Sequence, residues 1–536
     1  MPPLSGVGSF DPWFAAGTLC GSSGHRGGFG EPEPSAGSSR GAFGEPARSI
    51  AVSPMKATQP TLPCTAPAPP VACMPPRPSS PLRPSRPSSP SRRFSPSDQS
   101  FPFCAPALPA RPLLARAATG LWLVLACALL WGCDCPAEEV SVPRRPLVVY
   151  LALDNDLSGE CDARLTALCS GWRAGMDVWV YADTPSGASL RYLEPTPSGA
   201  EARTVETYGD ENSASGATLG RVLRSVWQRS PSDGYGLLFF SHATGWLPEG
   251  TLARPHAEAA AVASGAGGGA TRTLGRDGSA EMSLEAFAAA IPEGMPLDYI
   301  AFEACLVAGA EVALELCGRT ELLLASSAEL LVPGFRPLYG DGLELLTSRR
   351  LGTEELLTTF GQRYMRYVRQ ECRGAYRSAT LSVIRTSSLP ALASAVHRAT
   401  AGRAGETASE ELLSQLQHFD RPGQYGDRPA AARFFDLEDY VERLHAASGA
   451  DMASLAAFRA ALQDAVVWSD ATEQFMGGAG APYGGFDIDR HGGLTTYVPR
   501  AEFPSLNDSY THTAWWRAVA SPVYANTEND TNEQLR

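Results

Sequence analysis

Leu237-Leu238-Phe239-Phe240-Ser241-His242 and Leu297-Asp298-Tyr299-Ile300-Ala301-Phe302-Glu303-Ala304-Cys305 decide the fold. Each is a short apolar run that reads as a buried parallel strand, and each stops at a residue able to do chemistry. In an open α/β sheet, functional groups collect just past the carboxyl ends of the strands. Two neighbouring strands ending in His242 and Cys305 would set an imidazole beside a thiol, the arrangement that activates a cysteine nucleophile.

The chain on either side supports such a sheet. Pro146 to Leu153 is an unbroken apolar run that ends in Asp154-Asn155-Asp156, as a central parallel strand entering a polar loop would. A helix through Leu165 and Leu168 follows, then a second strand from Met176 to Ala182. Leu190 to Leu193 and Arg203 to Tyr208 read as a peripheral hairpin. Leu219, Val222, Leu223, Val226 and Trp227 recur at helical spacing before the His242 strand. A polar, glycine-rich loop after Trp246 contains Gly267-Gly268-Gly269, but no Gly-Lys-Ser/Thr follows, so it is not a phosphate loop. Helices over Ser283 to Ala290 and Ala310 to Leu316 flank the Cys305 strand, and Glu321 to Ser326 is one more buried strand. Alternation of strands and helices over residues 146–330 predicts a mostly parallel sheet with helices on both faces. Beyond about 345 the pattern is mainly helical, as in Leu356 to Val368 and Pro390 to His397. It closes with strand-like Leu494 to Val498, an aromatic segment at Trp515-Trp516, and a polar tail over 521–536.

At 536 residues and 44% hydrophobic, the chain can bury a core in more than one domain. Residues 1–112 are different, rich in Pro, Ser, Gly and Arg, and read as disordered or as upstream sequence included by a misplaced start. They hold ten basic and five acidic residues, so the remainder carries −13 − 5 = −18. That acidic balance argues against a nucleic-acid partner. Arg116 precedes the uncharged Ala117 to Gly132, sixteen residues that suit a signal-peptide apolar region better than a membrane span. Leu130-Trp131-Gly132-Cys133 resembles a bacterial lipobox, which would lipidate Cys133 and anchor an exported protein to the membrane. Residues 113–133 thus read as a signal peptide and 134–145 as a linker. Five cysteines follow Cys135, with no Cys-x-x-Cys pair, so no metal site is expected.

Three groups of residues carry a family resemblance. They are Tyr150-Leu151-Ala152-Leu153-Asp154-Asn155-Asp156-Leu157, Ser241-His242-Ala243-Thr244-Gly245-Trp246, and Glu303-Ala304-Cys305-Leu306 with Glu311. Weaker matches are Ala325-Ser326-Ser327-Ala328-Glu329 with Pro333-Gly334, and Gly493 to Pro499. In this order, over roughly 146–520, the sequence resembles the clostripain-like cysteine peptidases of the caspase-like clan. The resemblance implies a caspase-like three-layer α/β domain over 146–345 and a mainly helical accessory region over 346–520. It implies hydrolysis of peptide bonds through a thioester, with Cys305 as nucleophile, His242 as general acid/base, and the backbone amides of Ala243 and Cys305 as oxyanion hole. Glu303, and less directly Glu329, would accept an Arg or Lys preceding the scissile bond. Asp154, Asn155 and Asp156 read as loop-ordering residues. The family is often activated by cleavage between the two strands, here at Arg254, Arg272 or Arg276. No redox or organic cofactor is implied; calcium dependence occurs in the family, without assignable ligands here. Where the family has glycine after the histidine and aspartate two before the cysteine, this chain has Ala243 and Glu303. Those departures keep one rival in view, a non-catalytic surface lipoprotein that binds through the same fold; a second rival is an acyl transferase or ligase using the same thioester with an amine in place of water. His491-Gly492-Gly493 resembles an esterase oxyanion loop, but no Gly-x-Ser-x-Gly elbow accompanies it in the folded part.

Overall fold

The computed structural model describes residues 145–197, 199–249, 272–421, 431–482 and 484–520. All belong to one of two units of the chain; the other, Thr18–Asp134, lies outside the described residues. So do the expected signal peptide, Cys133, Arg254 and the 521–536 tail.

Four apolar runs form the centre of the sheet: β1 (Leu147–Ala152), β2 (Val178–Thr184), β5 (Tyr235–Phe240) and β9 (Leu297–Glu303). Between them come β3 (Gly187–Thr196) and β4 (Gly199–Gly209), the predicted hairpin, longer than the sequence suggested. A small three-stranded sheet lies between β5 and β9, made of β6 (Ala243–Pro248), β7 (Arg272–Asp277) and β8 (Ala280–Ser283). The main sheet continues through β10 (Leu322–Ala325), β11 (Thr380–Arg385) and, after the two-residue β12 (Phe435–Asp436), β13 (Val466–Ala471). Its nine strands run in the order β13-β11-β10-β9-β5-β1-β2-β3-β4. The five in the middle are mutually parallel and two antiparallel strands finish each side.

The central strands are uninterrupted in apolar character because both their faces are covered. Tyr150, Phe239 and Phe302 point to one face, Leu151, Phe240 and Ala301 to the other. On the first face the rings of Tyr181, Tyr150, Phe239 and Phe302 follow one another across β2, β1, β5 and β9, with centroids 4.5, 5.6 and 6.0 Å apart. Helices Gly216–Arg229, Leu284–Ala290 and Leu389–Ala399 cover this face, the first burying Leu219, Val222, Leu223 and Val226 at the predicted spacing. Ser283 caps the second by accepting the Ala286 amide. Cys161–Gly171, Tyr339–Thr347 and Thr353–Glu371 cover the opposite face. This is the three-layer, caspase-like arrangement the sequence implied.

The boundary placed at 345 does not break the sheet. β11 and β13 belong to the part read as a helical accessory region, yet they extend the same sheet beyond β10. Helices do dominate that part; β13 is a half-buried edge strand, which gives a weaker signal than the central runs, whereas β11 is buried between β10 and β13 but interrupted by polar residues. The strand expected at Leu494 to Val498 reduces to Thr495–Thr496.

Where helix Cys161–Gly171 crosses Tyr339–Thr347 the backbones almost touch: a Cβ on Gly171 would lie 1.9 Å from the Tyr339 carbonyl oxygen. Gly171→Ala is therefore expected to destabilise the fold by about 1–3 kcal/mol, read as a lower urea midpoint with an unchanged slope.

Candidate active site

β5 and β9 are paired in parallel with Phe240 opposite Glu303. His242 and Cys305 each lie two residues beyond that pair, so the sheet delivers both to the same end of adjacent strands. The two turns then meet: Gly245, at φ +60°, is so close to Leu306 that a Cβ there would lie 2.3 Å from the Leu306 carbonyl oxygen. Glycine is needed here for both its backbone angle and its lack of a side chain.

The turn that carries Cys305 is held from the β10 side. The Leu306 amide donates to Ala328 O at 3.0 Å and the Ala308 amide to Ser326 O at 3.0 Å. Leu306 itself adopts φ +61°, an unfavourable angle for a bulky residue, and it directly follows Cys305. Cys305 is 9% exposed. Burial pushes its thiol up to about 12, with the nearby Glu329 carboxylate adding to the rise, while the Leu330 amide and the Arg421 guanidinium oppose it. The thiol is neutral in this state.

His242 is also buried, and its Nε2 bonds Asp156 Oδ1 at 2.9 Å. The bond holds the Asp156 carboxyl below its usual range, with burial working against it and Arg276, 3.7 Å away, assisting. Asn155 does order its loop: its side chain bonds Ala152 O, Arg276 O and the Leu157 amide. Asp156, however, was read as a loop residue and instead grips the histidine. β1 lies next to β5, so an acid just past its end was the available signal; which of Asp154, Asn155 and Asp156 would face inward is decided by the loop.

Glu303 is not where a substrate carboxylate would have to be. Its side chain is fully buried, with Arg164 Nη1 2.8 Å from Oε1, the Phe335 amide at 2.6 Å and Tyr339 Oη 2.7 Å from Oε2. Arg164 lies over the Phe240 ring and also donates to Pro333 O. The expectation that Glu303 receives Arg or Lys is corrected on that ground: its acceptor capacity is spent inside the protein. Glu329 lies beside Cys305 and pairs with Arg421.

Arg276 sits within β7, the middle strand of the small sheet, and its amide donates to Ser241 Oγ. A bond inside a paired strand is a poor cleavage site, which removes Arg276 from the self-cleavage candidates. Arg272 begins the same strand. His491 Nε2 bonds Ser327 Oγ at 3.1 Å and the Gly492 amide caps Asp436, so His491-Gly492-Gly493 serves as a wall segment. Cys161, Cys169, Cys305, Cys317 and Cys372 are all free thiols. Among the described residues no group of three or more metal-ligating side chains could hold an ion, and no calcium ligands are assigned.

A nine-stranded α/β sheet carrying Cys and His on adjacent strand ends defines the class of caspase-like hydrolases. The family model for the clostripain family matches residues 149–516, and the chain belongs to this family of cysteine peptidases. An inactive zymogen C11 protease from Parabacteroides distasonis is 24% identical, covers 72% of this chain and all of its own, and superposes with a TM-score of 0.57. A secreted C11 cysteine protease from Bacteroides thetaiotaomicron, solved with an irreversible peptide inhibitor, is 21% identical over 70% of this chain and 99% of its own, also with a TM-score of 0.57. Both share the fold. No curated protein matches.

Two outcomes test this account of the site. Glu303→Ala should leave Arg164 buried without its partner and cost about 3–5 kcal/mol of stability in denaturant melts, without altering the ranking of peptide substrates. In wild type, the iodoacetamide alkylation rate of Cys305 should still rise about tenfold per pH unit up to pH 10, because its thiol is pushed up to about 12, whereas that of an ordinary cysteine is half-maximal at about 8.5 and levels off above about 9.5.

Proposed function

We propose that the protein is an exported endopeptidase that cleaves peptide bonds after Arg or Lys through a Cys305–His242 dyad. The observation that carries this reading is the register of β5 and β9, which sets the two residues at equal distance past one sheet end. Cys305 Sγ attacks the peptide carbonyl as its proton passes to His242, and the tetrahedral oxyanion is met by the amides of Ala243 and Cys305. The imidazolium gives its proton to the leaving amine, forming a thioester. The same imidazole then takes a proton from water, whose oxygen attacks the thioester and releases Cys305. Asp156, bonded to Nε2, is a positioning residue that orients the imidazole.

With Glu303 consumed internally, Glu329 is the carboxylate that selects the basic residue. Its support is its place beside the thiol and its grip on an arginine already in the chain. Activation proceeds by self-cleavage at Arg254, since Arg272, like Arg276, lies in the paired strand β7. Export follows from the signal-like 113–133 stretch, with Cys133 as lipid anchor; the Bacteroides thetaiotaomicron relative is itself secreted.

Fluorogenic peptides ending in Arg, Lys, Asp, Asn or Leu test the proposal directly. Hydrolysis of the Arg and Lys peptides should vanish in Cys305→Ala; hydrolysis after another residue would keep the nucleophile and discard Glu329. Asp156→Asn should lower kcat by roughly 10²-fold with little change in KM, within the range contributed by a placed proton-transfer group, and Asp156→Glu should recover part of it. A rise in KM alone would assign Asp156 to substrate binding instead.

A further inference from the structure

Glu329 is already occupied. Arg421 Nε lies 2.7 Å from its Oε2 and Nη2 2.9 Å from its Oε1, a fork-on-carboxylate pairing with both oxygens engaged. This is the geometry in which a carboxylate at the bottom of a specificity site holds a substrate arginine. The pair is shielded, with side chains 8% and 18% exposed, unlike the loose ion pairs of an open surface.

Arg421 is also carried there by a firmly built segment. Phe419 packs in one cluster with Ala328, the neighbour of Glu329, and with Phe475 and Phe486. The Phe419 amide donates to Phe434 O, and the buried Asp420 carboxylate accepts the amides of Arg433 and Phe434 at 2.9 and 3.2 Å. The two residues before Arg421 are thus fixed to the wall of the site, and the guanidinium is delivered to the acid next to Cys305. Both charges act on that thiol, Glu329 raising and Arg421 lowering its pKa, which places the pair at the nucleophile and not at a remote surface.

We infer that Arg421 stands where the arginine of a substrate would stand and closes the acidic specificity site from within the chain. The inference rests on reading Cys305 as the nucleophile and Glu329 as the specificity carboxylate. A substrate arginine must then displace an intramolecular competitor, whose effective concentration is high because its anchor is rigid. The latent enzyme discriminates against arginyl substrates by that competition, and withdrawal of Arg421 opens the site.

The test compares wild type, Arg421→Met, Arg421→Ala and the double variant Arg421→Met/Glu329→Gln, each confirmed as folded by circular dichroism. The methionine variant keeps the apolar stem, so packing survives if the alanine variant fails to fold. Two probes are used on each: an arginyl chloromethyl ketone peptide, which needs the specificity site, and iodoacetamide, which needs only the thiol. Arg421→Met should raise the labelling rate of Cys305 by the arginyl reagent about tenfold or more relative to iodoacetamide, and Glu329→Gln on that background should abolish the gain. Equal acceleration of both reagents would mean general loosening and overturn the inference. A fall in both rates would make Arg421 an activator of the thiol and overturn it too. Cys305 labelled by iodoacetamide in every protein but by the arginyl reagent in none would overturn the reading of the site itself.

Discussion

The buried pair of Arg164 and Glu303 is the joint on which the active-site end of the sheet depends. Glu303 terminates β9 two residues before Cys305, and Arg164 projects from the helix that follows β1. Neither side chain reaches solvent, so each charge must be met inside the protein. Tyr339, the Phe335 amide and Pro333 O complete the set, and the Phe240 ring lies 3.4 Å from the guanidinium carbon. One ion pair thereby fixes the ends of β5 and β9, a covering helix and the 333–339 segment relative to one another. A carboxylate so committed cannot also recruit substrate. An aspartate, shorter by one methylene, would not reach the same partners from the same backbone, so the extra carbon of Glu303 has a structural reason.

Much of the fold was legible because its central strands are buried on both faces. Continuous runs such as Leu147–Ala152 and Tyr235–Phe240 leave little doubt of type, and their order implies the alternation of layers. The alignment of His242 with Cys305 followed from the same runs, since strand ends are visible where apolar character stops. What stayed hidden depends on contacts distant in sequence. β13 is an edge strand whose half-exposed residues blur its period, and β11, buried between β10 and β13, reads Thr-Leu-Ser-Val-Ile-Arg in place of a continuous apolar run. The grip of Asp156 on His242, the fate of Glu303 and the arginine on Glu329 join residues 86, 139 and 92 positions apart, and apart from the acidic loop past β1 no local pattern announces them.

The recurrence of Glu311 and the Gly493 to Pro499 stretch among the family-like segments has a structural cause. Glu311 lies in the first turn of the helix behind the Cys305 turn and is almost wholly buried. Its Oε1 accepts Thr496 Oγ1 at 2.9 Å and the Tyr497 amide at 3.0 Å, while the Thr495 amide donates to Ala308 O. Burial raises the Glu311 carboxyl, and those donors pull it back. A strap from the end of the chain is thereby pinned against the turn that carries Cys305. The Trp246 ring packs on Tyr497 and Tyr510, which ties the histidine turn to the same strap.

Strain and restraint at the Cys305 turn have one origin. Leu306 holds a left-handed backbone because its amide is committed to Ala328 O while its carbonyl oxygen faces Gly245. Relaxing it would release either the β10-side segment that carries Glu329 or the turn that carries His242. The unfavourable angle is sustained because the surrounding packing over-determines it. The same closeness that brings the His242 and Cys305 turns together buries the thiol and favours its protonated form. Packing the two turns in contact therefore does two things at once: it sets His242 and Cys305 at one end of the sheet and buries the thiol between them.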